Sequence, residues 1–200
     1  MTDLFRDKAE EYDTRPIPAQ ISSGVWAALR ERVALSDGMR VMDFGAGTGL
    51  VCAQVAPHVQ RVHAVDISQA MLDKLAAKPE LAGKVEIHCQ DILDAPLDAT
   101  FDLVVSAMAM HHVEDTRALL RALYAHLAPG GRLALADLDA EDGSFHPPGT
   151  EGVFHAGFDR DALAGLLAEA GFSGTSFVTA CEVHRDDRAY PVFLVTATKV

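Results

Sequence analysis

The chain has 200 residues, 49% hydrophobic and 23% charged, the balance of one ordinary globular domain that needs no disulfide or metal clip to hold its core. Its formal net charge of −12 repels phosphate backbones and anionic lipids, so nucleic acid and membrane surfaces are disfavoured as main partners. No apolar run approaches the ~18 residues of a membrane span, and Met1–Lys8 lacks the apolar stretch of a secretory signal, so a cytoplasmic protein without stable membrane insertion is expected.

In chain order, a charged stretch ends at Arg15-Pro16-Ile17-Pro18, where the prolines are expected to stop a helix. Ile21, Val25, Trp26, Leu29 and Val33 recur at spacings of three and four, which predicts an amphipathic helix over 21–35, with Trp26 in the core. Strands and helices then alternate: strand 40–44, helix 50–56 ended by Pro57, strand 61–65, helix 68–77, strand 84–89, strand 101–106, helix 116–127, a turn at Pro129-Gly130-Gly131 and strand 132–137. A helix over 159–170 stops at Gly171. The runs 175–183 and 191–198 follow without a helix between them and predict an antiparallel hairpin across the polar stretch His184–Arg188. The expected fold is α/β: a Rossmann-like, doubly wound, seven-stranded and mostly parallel sheet with an antiparallel C-terminal edge hairpin. Residues 1–35 read as a helical cap and 36–200 as the main domain. The loop at about 138–158, rich in Gly, Pro, Asp and His, is long enough to suggest a lid. Cys52, Cys89 and Cys181 form no Cys-x-x-Cys pair, lie among apolar residues and are expected to be buried free thiols.

Asp43-Phe44-Gly45-Ala46-Gly47-Thr48-Gly49 follows a strand and opens a helix. Such a turn lets backbone approach a ligand and points free N–H groups at it. A P-loop would need a Lys after its last glycine, and none follows. A dinucleotide loop would need Gly or Ala where Leu50 stands, and leucine blocks the close helix–strand packing. Asp43-Phe44-Gly45 also spells a kinase magnesium motif, but in the wrong setting and without a His-Arg-Asp loop. Asp66, ending the second strand about twenty residues on, suits ribose hydroxyls, a device common to several adenosine-binding enzymes, or caps the next helix. Asp91, after the third strand, faces the same crevice or serves a turn.

The ordered set Val41–Gly49, Val65–Ser68, Gln90-Asp91, Phe101–Ser106 and Leu127–Leu133 closely resembles the class I S-adenosylmethionine (SAM)-dependent methyltransferases over roughly residues 36–200. It looks most like the small-molecule branch typified by ubiquinone and menaquinone biosynthesis methyltransferases. The resemblance implies SAM as cofactor. It implies that Gly45, Ala46 and Gly47, with Thr48 and Gly49 in the same loop, pass along its methionine portion. Asp43 would stabilise the loop near the ammonium group. Asp66 would take the ribose hydroxyls, Ile67 and Met71 would lie by the adenine or ribose, and Asp91 and Ile92 would hold the adenine. Ser106, Ala107 and Met108 would line the methyl end, and Tyr12 would cap the cofactor.

Methyl transfer asks the protein for proximity, orientation and, for a protonated acceptor, a base. Met108–Asp115 follows the fourth strand, and His111 is the candidate base there. Two adjacent histidines on a helix diverge, so only one of His111 and His112 is expected to face inward. The Asn-Pro-Pro-Tyr motif of nucleic-acid and protein amino-group methylation is absent, leaving a small-molecule acceptor as the expected partner. His146, His155 and His184 fit no short ligand motif, so no metal is expected. An NAD-dependent reductase, disfavoured by Leu50 and by the lack of a Tyr-x-x-x-Lys pair, and a non-catalytic SAM-binding protein are the alternatives. Monomer and homodimer both remain open.

Overall fold

Short Val- and Leu-rich runs become strands whose successive side chains point to opposite faces, and the central ones are buried on both. In the computed structural model, which describes residues 3–200, these are Arg40–Phe44 (β1), Arg61–Asp66 (β2), Val85–Cys89 (β3), Phe101–Ala107 (β4), Leu127–Leu138 (β5), Phe172–Arg185 (β6) and Arg188–Lys199 (β7). They form one seven-stranded sheet in the order β3-β2-β1-β4-β5-β7-β6. The first five strands pair in parallel, and β7 lies antiparallel between β5 and β6. The expected sheet is the observed one.

Alternation splits the core between the two faces. Val41, Val62, Leu103 and Ala134 pack with Ile21, Val25 and Leu29 of helix α2 (Pro16–Arg32), with Val55 of α3 (Leu50–Val55), and with Leu72 and Leu75 of α4 (Gln69–Ala76). Met42, Val65, Val104 and Leu133 face the other way, onto Leu119, Leu120 and Leu123 of α5 (Thr116–His126) and Leu163 and Leu167 of α6 (Arg160–Glu169). A short helix, Arg6–Ala9 (α1), precedes α2, and the first two positions of the expected 1–35 cap lie outside the described residues. Among the described residues no helix is long and apolar enough to cross a membrane.

Four expectations need correction. Pro16 and Pro18 open α2 rather than stop a helix, because the first-turn N–H groups that proline lacks have no intrahelical partner. Pro129-Gly130-Gly131 lies inside β5, as a bulge where pairing with β4 jumps from Phe101↔Leu127 to Leu103↔Arg132. The polar stretch 184–188 shrinks to a two-residue turn at Asp186-Asp187, both at positive φ as a tight hairpin demands. Only Cys52 is buried; Cys89 is exposed on the edge strand β3 and Cys181 is half-buried against α2.

Candidate functional site

The strand ends of β1, β2 and β4 meet at the glycine loop. Gly45, Gly47 and Gly49 have φ of +67°, +54° and +85°. A Cβ on Gly45 would stand 2.2 Å from the Cβ of Ala109, and one on Gly49 2.7 Å from Leu75 Cγ, whereas one on Gly47 would meet nothing within 4 Å. Two glycines thus buy close packing and the third keeps the crevice clear. The expectation of free N–H groups is overturned. Gly45 and Ala46 N–H donate to Val65 O at 2.8 and 3.1 Å, Gly47 N–H to Asp66 Oδ2 at 2.7 Å and Gly49 N–H to Ala46 O at 2.8 Å. The loop is therefore no phosphate cradle; it offers a side-chain-free wall. Gly45→Ala should destabilise the fold by about 2–4 kcal/mol, from overpacking plus the left-handed backbone. Adding Ala109→Gly should recover the packing part. Thermal melts of the two single variants and the double variant check this, and strictly additive losses would refute the contact.

Asp66, at the end of β2, ties the loop to the next helix. Its Oδ1 accepts from Ser68 N–H at 2.8 Å while Oδ2 holds Gly47. Each carboxylate oxygen keeps a second lone pair for another donor. Burial raises its pKa, partly offset by these backbone donors. Asp43 is buried beneath the loop, where Cys52 Sγ donates to its Oδ2 at 3.1 Å, and burial pushes its pKa up to about 7.

The N-terminal segment closes over this crevice. Tyr12 sits in a 3₁₀ turn, Tyr12–Thr14, and its hydroxyl pKa is raised by burial and by the carboxylates of Asp66 and Asp13. Asp13 accepts from Thr48 Oγ1 and pairs with Lys78 at 2.6 Å, Glu10 pairs with Lys74, and Asp3 accepts from Ser68 Oγ at 3.0 Å. Sequence reasoning singled out Tyr12 and missed Asp3 and Asp13; a charged segment looks solvated until its partners are known. Ile67 is 54% exposed beside Asp66, whereas Met71 and Ile92 are buried. Asp91 is exposed, with Oδ1 accepting from Leu93 N–H at 2.8 Å, and it follows Gln90, whose N–H donates to Asp66 O at 3.0 Å.

At the end of β4, Ser106 is buried with Oγ unpartnered among the described residues, and Ala107 and Met108 follow. Met108 has φ of 58°, an uncommon state for a non-glycine residue that tends to cluster at functional sites. Next comes a 3₁₀ turn, Met110–His112, rather than an α-helix. This corrects the expected divergence of the two histidines: their ring centroids lie 4.1 Å apart. His111 Nδ1–H donates to Asp137 Oδ1 at 2.7 Å, and His111 N–H donates to Oδ2 at 3.1 Å. Asp137 is wholly buried at the end of β5 and also takes Leu138 N–H. A carboxylate only accepts, so Nδ1 carries a proton, and in the neutral ring Nε2 holds the lone pair. That Nε2 faces His146 Nε2 at 3.2 Å. Asp137 was missed because its contact depends on the β4–β5 register, which sets Ala107 opposite Ala136.

Residues 138–158 pack onto this turn. Phe154 and His155 N–H both donate to His111 O, His112 Nδ1–H donates to Gly152 O at 2.6 Å, and Phe5 meets the His112 ring edge-on at 5.0 Å. Burial, reinforced by the neighbouring His111, lowers the pKa of His112 and of His146 from 6.5 to about 4. Such a group binds fewer protons folded than unfolded between these values. Its stabilising effect is therefore complete above about pH 6.5 and is lost as pH falls towards 4. His146→Gln should flatten the fall of melting temperature across that window relative to the wild type; parallel curves would exclude the effect.

Residues 41–131 match the family described as Methyltransferase domain. An uncharacterized methyltransferase of Schizosaccharomyces pombe is 32% identical over 70% of this chain and 56% of that one. An O-methyltransferase of Aspergillus nomiae is 30% identical over 74% of this chain and 71% of that one. The N-methyltransferase NodS of Bradyrhizobium japonicum, solved with S-adenosyl-L-homocysteine, superposes with a TM-score of 0.74 at 18% identity, over 98% of this chain and 94% of that one. The chain spans about half to three fifths of the first curated relatives it matches. The chain belongs to the class I SAM-dependent methyltransferases.

Proposed function

We propose that the chain transfers the methyl group of SAM to a hydroxyl oxygen of a small organic molecule, with His111 as general base and Asp137 holding it. The observation that carries this reading is the buried Asp137–His111 pair on the turn whose Ala109 touches the glycine loop. SAM supplies an electrophilic methyl group whose departure leaves a neutral sulfide. The residues present fit such a ligand: carboxylates of Asp66 and Asp13 hold the glycine loop, which suits a sulfonium cation and opposes a pyrophosphate. With Nδ1–H fixed on Asp137, His111 Nε2 takes the acceptor's O–H proton as the oxygen attacks the methyl carbon. His146 stands in front of that nitrogen, so the loop carrying it is read as a lid that moves aside for the acceptor and closes against water. The O-methyltransferase name of the Aspergillus relative supports oxygen over the carbon acceptor implied by the quinone-type likeness.

Calorimetric titration with S-adenosylhomocysteine, with NADH in a parallel cell, tests the cofactor. Saturable binding of the first alone is expected. Binding of NADH alone would overturn the reading, and binding of neither would favour a non-catalytic protein. Incubation with labelled SAM and a panel of phenols, carboxylic acids and amines then tests the acceptor class.

A further inference from the structure

We propose that His63, Glu86 and His88 form a binding site for a divalent transition-metal ion, with zinc as the best-fitting ion, on the β2–β3 edge of the sheet. Glu86 and His88 stand two apart on β3 and so share a face. The parallel register sets His63 opposite Glu86 and Val65 opposite His88, which brings the three side chains together on the face away from α4. One ligand atom from each lies within 4.8 Å of the others.

The distances suit coordination better than ion pairs, and without an ion His63 and His88 hydrogen-bond to each other. His63 Nδ1 and His88 Nε2 are 3.1 Å apart; Glu86 Oε1 is 3.5 Å from His88 Nε2, and Oε2 is 3.9 Å from His63 Nδ1. A charge-assisted hydrogen bond between carboxylate and imidazolium would close to about 2.7–2.9 Å. Bonds of about 2.0–2.1 Å at a tetrahedral zinc instead place neighbouring ligand atoms roughly 3.3 Å apart. The separations, two of them to different oxygens of Glu86, straddle that edge, and the half-exposed Glu86 leaves the site open towards solvent. Two imidazoles and a carboxylate suit zinc, copper or nickel and not calcium or magnesium.

His63 is the costly member. It is buried in the strand, beside the Phe101 ring at 5.0 Å, and its Nε2 has no hydrogen-bond partner among the described residues. Keeping an imidazole there with one nitrogen unsatisfied is unfavourable; ligation at Nδ1 leaves Nε2 as it is, so the metal bond itself is the favourable contribution. Arg61, 3.8 Å from Glu86 Oε2, is the competing cation. Both side chains are about half exposed, and such a pair is weak enough for Arg61 to swing away. The ion would clip the edge strand β3, whose side chains are mostly exposed, to β2.

The test uses the full chain stripped with chelator and titrated with Zn²⁺ by calorimetry, and with Co²⁺ by absorption. One equivalent of Zn²⁺ is expected to bind and raise the melting temperature. His88→Asn and Glu86→Gln should each weaken it at least about tenfold, with folding verified by circular dichroism. His146→Ala should leave it unchanged. The Co²⁺ spectrum should show tetrahedral bands without a thiolate charge-transfer band. No saturable binding would overturn the site. So would equal affinity in His88→Asn, loss only in His146→Ala, or a thiolate band, the last two moving the ion to the histidine turn or to the exposed Cys89.

Discussion

Replacing His111 by glutamine is expected to lower kcat by roughly 10²–10⁴-fold, the range contributed by a positioned general base, with little change in S-adenosylhomocysteine affinity. The pair is buried and hydrogen-bonded to two backbone N–H groups, so its geometry is fixed before substrate arrives. Asp137→Asn is the sharper variant. It preserves shape but presents an amide that can donate to Nδ1, which moves the ring proton to Nε2 and removes the lone pair facing the acceptor. Its kcat should fall nearly as far as that of His111→Gln, and the double variant should lose little more, because residues that act as a unit are not additive. Unchanged kcat in His111→Gln with an intact melt would make the pair structural.

The second large effect concerns Asp66. Asp66→Ala should weaken S-adenosylhomocysteine binding by about 1.5–3 kcal/mol, or roughly 10–150-fold, the scale of a lost charge-assisted hydrogen bond. The same change strips Gly47 and Ser68 N–H of their acceptor, so some loss of stability is expected as well. Asp66→Asn separates the two. One amide oxygen still serves a backbone donor, so the melt should move less than for alanine while ligand affinity still drops. If calorimetry finds wild-type affinity in a folded Asp66→Ala, the carboxylate only fastens the loop and takes no part in binding.

Most of the sheet was legible because its determinants are local. The runs at 61–65 and 101–106 are short, apolar and buried almost throughout, as central parallel strands are, and Gly45, Gly47 and Gly49 require conformations that other residues resist. What escaped depends on pairing between distant segments. The 3₁₀ turn at Met110–His112 is set by the loop that bonds to His111 O, so the helical divergence argument did not apply. Asp137 lay in plain view at the end of an apolar strand, yet only the β4–β5 register brings it under His111. The same holds for His63 and His88, which no sequence spacing connects. Pro16 and Pro18 were misread for a different reason: a proline pair ends one segment and starts another with equal ease.

The position of β7 sets the order in which this molecule can be assembled. Asp137 is on β5, whose outer edge is covered by β7 with Phe193 opposite Asp137, and β7 is in turn flanked by β6. A nascent chain that has emerged only to α6 carries β5 as a bare edge whose outward backbone N–H and C=O groups have no strand partner. That edge is open to wrong partners until residues 188–199 slot in. Because those pairings are non-local, the closing step should be the slow phase of refolding. Competence for chemistry would then arrive in a single late event, after the glycine loop is already in place.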